Sequence, residues 1–535
     1  EKGRENLLLQ SNQFDTTWFN GGSAATVTSG QSGYDGSTDA WLLDLNYTGG
    51  DAYLRQEKSI SGVNTFSIYA KAGTTDGIYI EFAAGNFPNI KVDLSSGSLI
   101  STSGTINTNI ESVGSGWYRV SLSVNQSLLR VNIRAINGSG TNTTGNILIQ
   151  DAQLEQGLVA TPYIETGAST AQAGILENTP RFDYSGGASC PSLLLEPSRT
   201  NAYLNSEYFG SWNSNRADLT ANAVTSPEGV SNAYKVAQQS GFTISPNVNI
   251  TGFPANTYTA SIFAKKGTWD YIAVSFNGVS YFNLDSGTKG TTHPNHTSSI
   301  EDYGNGWYRC TITITTTATQ TIAYYIAESN STLSTPDTQG YAYIYGGQIE
   351  SSASYPTSYI PTYGVSQTRS DDFMNISSLA DEIDGNSFTY FLDVKNEEVV
   401  RDASTGNISV GASGNRFFLY NDSLTSNRLR LFIQDSSGTQ SYLLSADNVK
   451  LCIRLEPNKV DVFENGVIVL STTQNLDFSS NSSYVLRGTT RKMELNQTLI
   501  FPTALSDLDC EILTGATTYN TFAEMALALN YTVYE

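Results

Sequence analysis

The chain carries one unit twice, and this repeat limits its fold more than any other feature. Asn6-Leu7-Leu8-Leu9-Gln10-Ser11 is answered by Asn201-Ala202-Tyr203-Leu204-Asn205-Ser206, 195 residues on (201 − 6). Phe14 and Trp18 answer Phe209 and Trp212, and Ser67 to Gly73 (SIYAKAG) answers Ser261 to Gly267 (SIFAKKG). Gly114-Ser115-Gly116-Trp117-Tyr118-Arg119 matches Gly304-Asn305-Gly306-Trp307-Tyr308-Arg309. Gln153-Leu154-Glu155 matches Gln348-Ile349-Glu350, and Tyr163-Ile164 matches Tyr359-Ile360. The order is kept throughout and the offset drifts by only a few residues, so one fold is built twice. The junction, Asn178 to Asn201, holds two short apolar runs around a Ser-Gly-Gly-Ala-Ser turn and Cys190-Pro191. That punctuation predicts two extended pieces joined by a tight loop.

Each copy reads as strand after strand. In the first, candidates include Ala40–Tyr47, Tyr53–Ile60, Thr65–Lys71, Ile78–Phe82, Trp117–Val124 and Ile147–Leu154, separated by turns such as Gly49-Gly50 and Asn137-Gly138. Phe66, Ile68 and Ala70 share one face of a half-buried strand, and Ser67, Tyr69 and Lys71 share the other. About nine such strands in one unit predict a two-sheet antiparallel sandwich of jelly-roll type. Cys310 falls where the first copy has a core Val120, so it reads as a small buried hydrophobe.

After the second copy the sequence changes character. Asn465-Gly466 between two β-branched runs signals a hairpin, because a type I′ turn needs positive φ at both central residues. Near the end, Ser506 is placed to cap a helix over Asp507–Leu513, and Thr521–Leu529 reads as a second short, largely apolar helix. The predicted division is residues 1–172, a β linker 173–200, a second copy 201–368 and a third unit 369–535. The fold class is all-β: two tandem antiparallel jelly-roll sandwiches, then a third sandwich with two short terminal helices.

The PRFDY run (Pro180 to Tyr184), LLLEPSRTN (Leu193 to Asn201) and the Ser206-x-x-Phe209-x-x-Trp212 opening resemble tailed-bacteriophage fibre and virion-decoration proteins. The Gly-x-Gly-Trp-Tyr-Arg, Gln-Leu-Glu and Thr357-Ser358-Tyr359-Ile360-Pro361-Thr362 elements resemble the same family. The repeated unit is similar to the jelly roll of carbohydrate-binding modules. Lys459 to Leu470 and Leu499 to Asp507 resemble the closing strands of concanavalin/laminin-G-like sandwiches. The resemblance implies a virion structural protein (tail or head fibre, spike or decoration) at the particle surface. Its implied partners are other virion proteins, itself as a homotrimer, and host-surface glycan. A secreted bacterial carbohydrate-binding or adhesin protein is the alternative, and a polysaccharide depolymerase a third reading.

Charge and composition narrow the chemistry. A net charge of −21 argues against binding a phosphate backbone or an anionic membrane. No segment approaches 18 apolar residues, so no transmembrane helix is expected. There is no signal-peptide pattern, and the opening on Glu1 without Met suggests that an N-terminal piece has been removed. Four Cys are too few for a disulfide scaffold in 535 residues. Surface carboxylates could hold Ca²⁺, but no EF-hand loop supports it, and no cofactor is expected.

The two His, His293 and His296, share one loop, have no counterpart in the first copy and read as solvated. With no other His, Ser- and Cys-type triads are excluded. Glu382-Ile383-Asp384 resembles part of a laminarinase-type motif, but the last acid is replaced by Ser387 and Gly385-Asn386 reads as a turn, so no enzyme is expected. Binding has better candidates. Tyr324, Tyr341, Tyr343 and Tyr345, with Tyr325 beside them, fall on strands late in the second copy, where aromatic faces could stack on sugar rings. Trp117 and Trp307 share strand faces with Arg119 and Arg309, which would permit an arginine on each indole.

Overall fold

The computed structural model describes residues 3–21, 25–46, 52–83, 87–174, 179–183, 191–376, 385–396, 408–412, 414–421, 428–446, 448–478, 484–487, 492–515 and 521–529. Glu382, Asp384 and Cys190 lie outside them. The described chain divides into two units: residues 1–176 with 200–367, and residues 177–199 with 368–535.

The first unit holds both copies, and each is a jelly-roll sandwich of two six-stranded sheets. In copy one, one sheet runs Asn107–Gly114, Trp117–Asn125, Val63–Ala72, Gly145–Gln156, Ala40–Leu45, Ala25–Gln31. In copy two the matching sheet runs Thr297–Asp302, Trp307–Thr315, Thr257–Lys266, Tyr341–Ser351, Ala233–Gln238, Ala217–Val224. The opposing sheets also correspond strand for strand, Phe19–Gly21 to Ser98–Ser103 in copy one against Asn213–Asn215 to Thr288–Lys289 in copy two. Alternation sets what is buried. Phe66, Ile68 and Ala70 pack against Ile78, Ile80 and Phe82 of the facing sheet, and Ala260, Ile262 and Ala264 do the same work in copy two. Cys310 is fully buried beside Ile262, where copy one pairs Val120 with Ile68.

The motifs that recur in both copies build one buried polar knot. Asn6 Nδ2 donates to the carbonyls of Ala152 (3.1 Å) and Ile164 (2.8 Å), while its Oδ1 accepts from the amides of Leu8 and Leu154. Asn201 repeats this with Gly347 (3.0 Å), Ile360 (2.8 Å), Tyr203 and Ile349. The Glu of each Gln-x-Glu element accepts from a threonine amide and hydroxyl: Glu155 from Thr161 (2.9 and 2.6 Å), Glu350 from Thr357 (3.1 and 2.6 Å). Gln153 and Gln348 each accept from the amide of the next Ile, at 2.7 Å in both copies. Ser11 and Ser206 close the knot on the hydroxyls of Tyr163 and Tyr359. The start, the central strand and the exit of each sandwich are thereby joined, with their buried polar groups satisfied.

Between the copies, the Val63 amide donates to the Tyr363 carbonyl at 3.3 Å. Gly62 takes φ +85°, and a Cβ there would lie 1.6 Å from that carbonyl oxygen. Arg4 of copy one pairs with Glu228 of copy two at 3.2 Å.

The second unit is a sandwich of a seven- and a six-stranded sheet. The junction is not a free linker. Arg181–Asp183 and Ser192–Leu195 form the first two strands of the larger sheet, Ser192–Leu195 pairing with Met493–Phe501. The sequence showed two extended pieces but not their partner, which lies about 300 positions on. Glu196, almost fully buried, accepts from Arg181 (2.8 Å) and Arg369 (3.1 Å), so the Arg and Glu of the junction motifs act inside this sandwich. Asn465 (φ 53°) and Gly466 (φ 76°) form the expected hairpin. Helix α1, Asp507–Thr514, is capped by Ser506, which accepts from Asp509 N. Helix α2, Phe522–Ala528, is capped by Thr521, which accepts from Glu524 N. Met525 of α2 and its C-cap Leu529 pack with Cys510, Cys452 and Phe463 within their own sandwich, while Leu527 stays exposed.

The knot makes a direct prediction. Asn201→Ala strands two amides and two carbonyls in the core of copy two and should lower unfolding stability by about 3 kcal/mol or more. Chemical denaturation followed by tryptophan fluorescence checks this, and an unchanged midpoint would show that the knot is incidental.

Candidate functional site

Because the knot residues recur in both copies, positions where the copies differ are the place to look for function. One set of them lies on the outer face of the sheet that carries the knot. Register aligns this face row by row. In copy one a row reads Leu42, Leu148, Lys71, Trp117. In copy two the same row reads Lys235, Tyr343, Lys265, Trp307. In the next row Asp44 and Asn146 are replaced by Ala237 and Tyr341.

Copy two therefore presents tyrosines among ammonium groups. Lys235 Nζ stands 4.0 Å from the Tyr341 ring centroid. The Tyr341 and Tyr343 rings meet edge to face at 5.5 Å. Lys265 Nζ donates to the Asn305 carbonyl at 2.7 Å. All four side chains are partly exposed, and Tyr303, more exposed still, sets its ring 4.8 Å from that of Phe263. Burial, then the neighbouring Tyr341, raises the Tyr343 phenol above its ordinary pKa. The Tyr343 phenol thus stays a neutral hydrogen-bond donor at physiological pH.

Of the four tyrosines expected from the sequence, the structure brings Tyr341 and Tyr343 to this face and withdraws the other two. Tyr324 is 0% exposed, its hydroxyl 2.9 Å from that of Tyr203 inside the sandwich. Tyr345 points outward but is 3% exposed; its hydroxyl lies 2.7 Å from Glu228 and 3.1 Å from Glu207. Neither offers a ring face to a ligand. Lys235 and Lys265 were missed as site residues. The signal was present in the repeat: Lys235 stands where copy one has Leu42.

Two further expectations change. Arg119 and Arg309 do not sit on the tryptophans. Each guanidinium lies over the aromatic ring opposite it on the next strand, Tyr69 (5.3 Å) and Phe263 (5.4 Å). The histidine loop is not solvated at His296, which is 7% exposed. Its Nδ1 lies 2.8 Å from Ser280 Oγ, and its Nε2 lies 3.0 Å from the Phe276 carbonyl. Burial lowers its pKa, so this imidazole is a neutral structural strut. No group of three His, Cys, Asp or Glu among the described residues is arranged to hold a metal.

Copy one closes its own face. The Tyr34 ring stacks on Tyr69, centroids 3.7 Å apart and 4° from parallel, and its hydroxyl donates to Asp151 at 3.0 Å. Asp151 (φ 54°) occupies the strand bulge that Gly346 (φ 55°) fills in copy two.

The second unit offers weaker alternatives. Phe418, Phe432 and Tyr420 lie on the outer face of its smaller sheet, but they stack on one another at 5.2 and 4.4 Å. Arg416 covers Phe418 at 4.6 Å, so most of the ring faces are already used. An open cleft of about 490 Å³ beside Lys459 and Leu470 has no aromatic lining.

No family model matches the sequence, and no curated protein matches it. Among solved structures, the chain is similar to the N-terminal CBM22-1–CBM22-2 tandem domain of Xyn10C from Paenibacillus barcinonensis. That match has 12% identity and a TM-score of 0.23, and covers 66% of this chain and 99% of that one. At those values the likeness carries no functional argument.

The closed face of copy one yields a pH prediction. Burial, reinforced by Asp39, Asp35 and Glu165, pushes the Asp151 carboxyl up to about 7 despite the Tyr34 hydrogen bond. The folded state then holds a proton that the unfolded chain releases near pH 4. This group's contribution should fall as pH rises from about 4 to about 7, by at most about 4 kcal/mol. Asp151→Asn should flatten that part of the stability–pH curve measured by denaturation; an unaltered slope would mean that the carboxyl titrates normally.

Proposed function

We propose that this chain is a glycan-binding structural component of a bacteriophage particle, acting through the outer face of its second jelly roll. One observation carries the binding part: the row Leu42–Leu148–Lys71 of copy one becomes Lys235–Tyr343–Lys265 in copy two within the same strand frame. A partly exposed tyrosine supplies an apolar face with a polar tip, and flanking ammonium groups and a second phenol supply directed donors, which suits a hydroxyl-rich ring. The virion assignment is supported by the junction and knot motifs that resemble fibre and decoration proteins. The same resemblance supports a homotrimer, in which several weak faces would gain strength by avidity. The protein acts by adhesion rather than by cleaving the polysaccharide.

Tyr343→Ala should weaken binding of the full chain to host-surface polysaccharide about tenfold. Leu148→Ala at the matching position of copy one should leave binding unchanged. Surface plasmon resonance on immobilised polysaccharide distinguishes them, and equal binding by both variants would remove the assignment to copy two.

A further inference from the structure

We propose that the saccharide held at this face is an acidic one, carrying its carboxylate to Lys235 and Lys265 while its ring lies on Tyr343. The inference rests on the glycan-binding reading and adds the class of sugar. The whole chain has 50 Asp and Glu against 29 Lys and Arg. Some lysines of the chain find carboxylates, and neighbouring Lys266 finds two, Asp270 (2.9 Å) and Asp285 (2.7 Å). Lys395, Lys459 and Lys492 of the second unit are likewise paired with acids. Lys235 and Lys265 instead hold a tyrosine ring and a backbone carbonyl, with no ion pair to any described carboxylate.

The two lysines flank one tyrosine. They are the cross-strand neighbours of Tyr343 on either side, so their backbones lie about 10 Å apart with the ring between them. By register, Asp218 and Glu301 stand on the two edge strands of this face, and Glu350 stands on the central strand, buried and bonded by Thr357. Glu207 and the Glu228 side chain are buried at Tyr345, with Arg4 paired to Glu228. Asp218 opposes Ala237 and is hydrogen-bonded by Gln239, and Glu301 opposes Arg309. Around Tyr343 the exposed charges are therefore the two ammonium groups, since the nearby acids on the central strand and at Tyr345 are buried and already bonded, and neither lysine forms an ion pair with a described carboxylate. A neutral sugar would use the ring, and the phenols and ammonium groups as ordinary donors to its hydroxyls, without drawing on their charge. A carboxylated sugar uses the ring and the charge, through charge-assisted hydrogen bonds. Copy one keeps Lys71 but sets Leu42 and Leu148 beside it, so the paired cation and the stacking ring are found in copy two alone.

The test measures binding of the full-length chain to polygalacturonate, polysialate and hyaluronan, with fully methyl-esterified polygalacturonate, dextran and xylan as neutral partners. At least one acidic polymer should bind, with affinity falling as NaCl rises from about 0.05 to 0.5 M. Lys235→Leu, which installs the copy-one residue, and Lys265→Gln should each cost about fivefold for the acidic polymer, with thermal unfolding unchanged. Preference for the neutral polymers, or lysine variants that bind the acidic ones as well as the parent, would overturn the acidic class while leaving the glycan reading intact. Binding to none of the polymers would overturn both.

Discussion

The structure of the first unit depends on a buried asparagine. Asn6 and Asn201 each satisfy two amides and two carbonyls from chain segments about 150 residues apart in sequence. A sandwich of short strands has many places where chain start, central strand and chain exit meet, and each leaves backbone groups without ladder partners. The Asn side chain, the Gln and Glu of the central strand and the following Thr and Tyr fill that need in both copies. The hydrogen bonds offset the cost of removing these groups from water, and because the set is so specific, it tolerates little change.

This explains why the most conspicuous motifs are uninformative about ligands. The Gln and Glu of Gln-x-Glu and the Thr of Thr-x-Tyr-Ile are buried, and so are the tryptophans of the Trp-Tyr-Arg element, Trp307 Nε1 donating to the Thr225 carbonyl at 3.0 Å. A fixed frame frees the outer face. Its residues are held by strands whose register the knot and the central-strand bulge both set, so Leu42 and Lys235, or Leu148 and Tyr343, occupy matching places with different chemistry. Copy one spends this freedom on closing its face with Tyr34, and copy two on presenting rings and ammonium groups.

Much of the fold was legible because it rests on alternation and repetition, both of which survive in one dimension. The sandwich class, the buried Cys310, the Asn465-Gly466 turn and the Ser506 cap all follow from local rules. What was hidden depends on distant partners. The junction strands could not reveal that they pair with Met493–Phe501, nor His296 that Ser280 and Phe276 would enclose it. Tyr341, Tyr343 and Tyr345 alternate along one strand face and look equivalent, yet Glu207 and Glu228 draw only Tyr345 inside. Tyr324 and Tyr325 differ by one position, and in a strand one position is the difference between core and surface. Lys235 was legible in principle, by asking where the two copies disagree rather than where they agree.

The most direct measurement is a crystal structure of the chain with a bound acidic oligosaccharide. The account predicts a sugar ring over Tyr343, its carboxylate between Lys235 and Lys265, and no sugar over Leu148 in copy one. A sugar bound on the copy-one face, or on the second unit with the Tyr343 face empty, would contradict it.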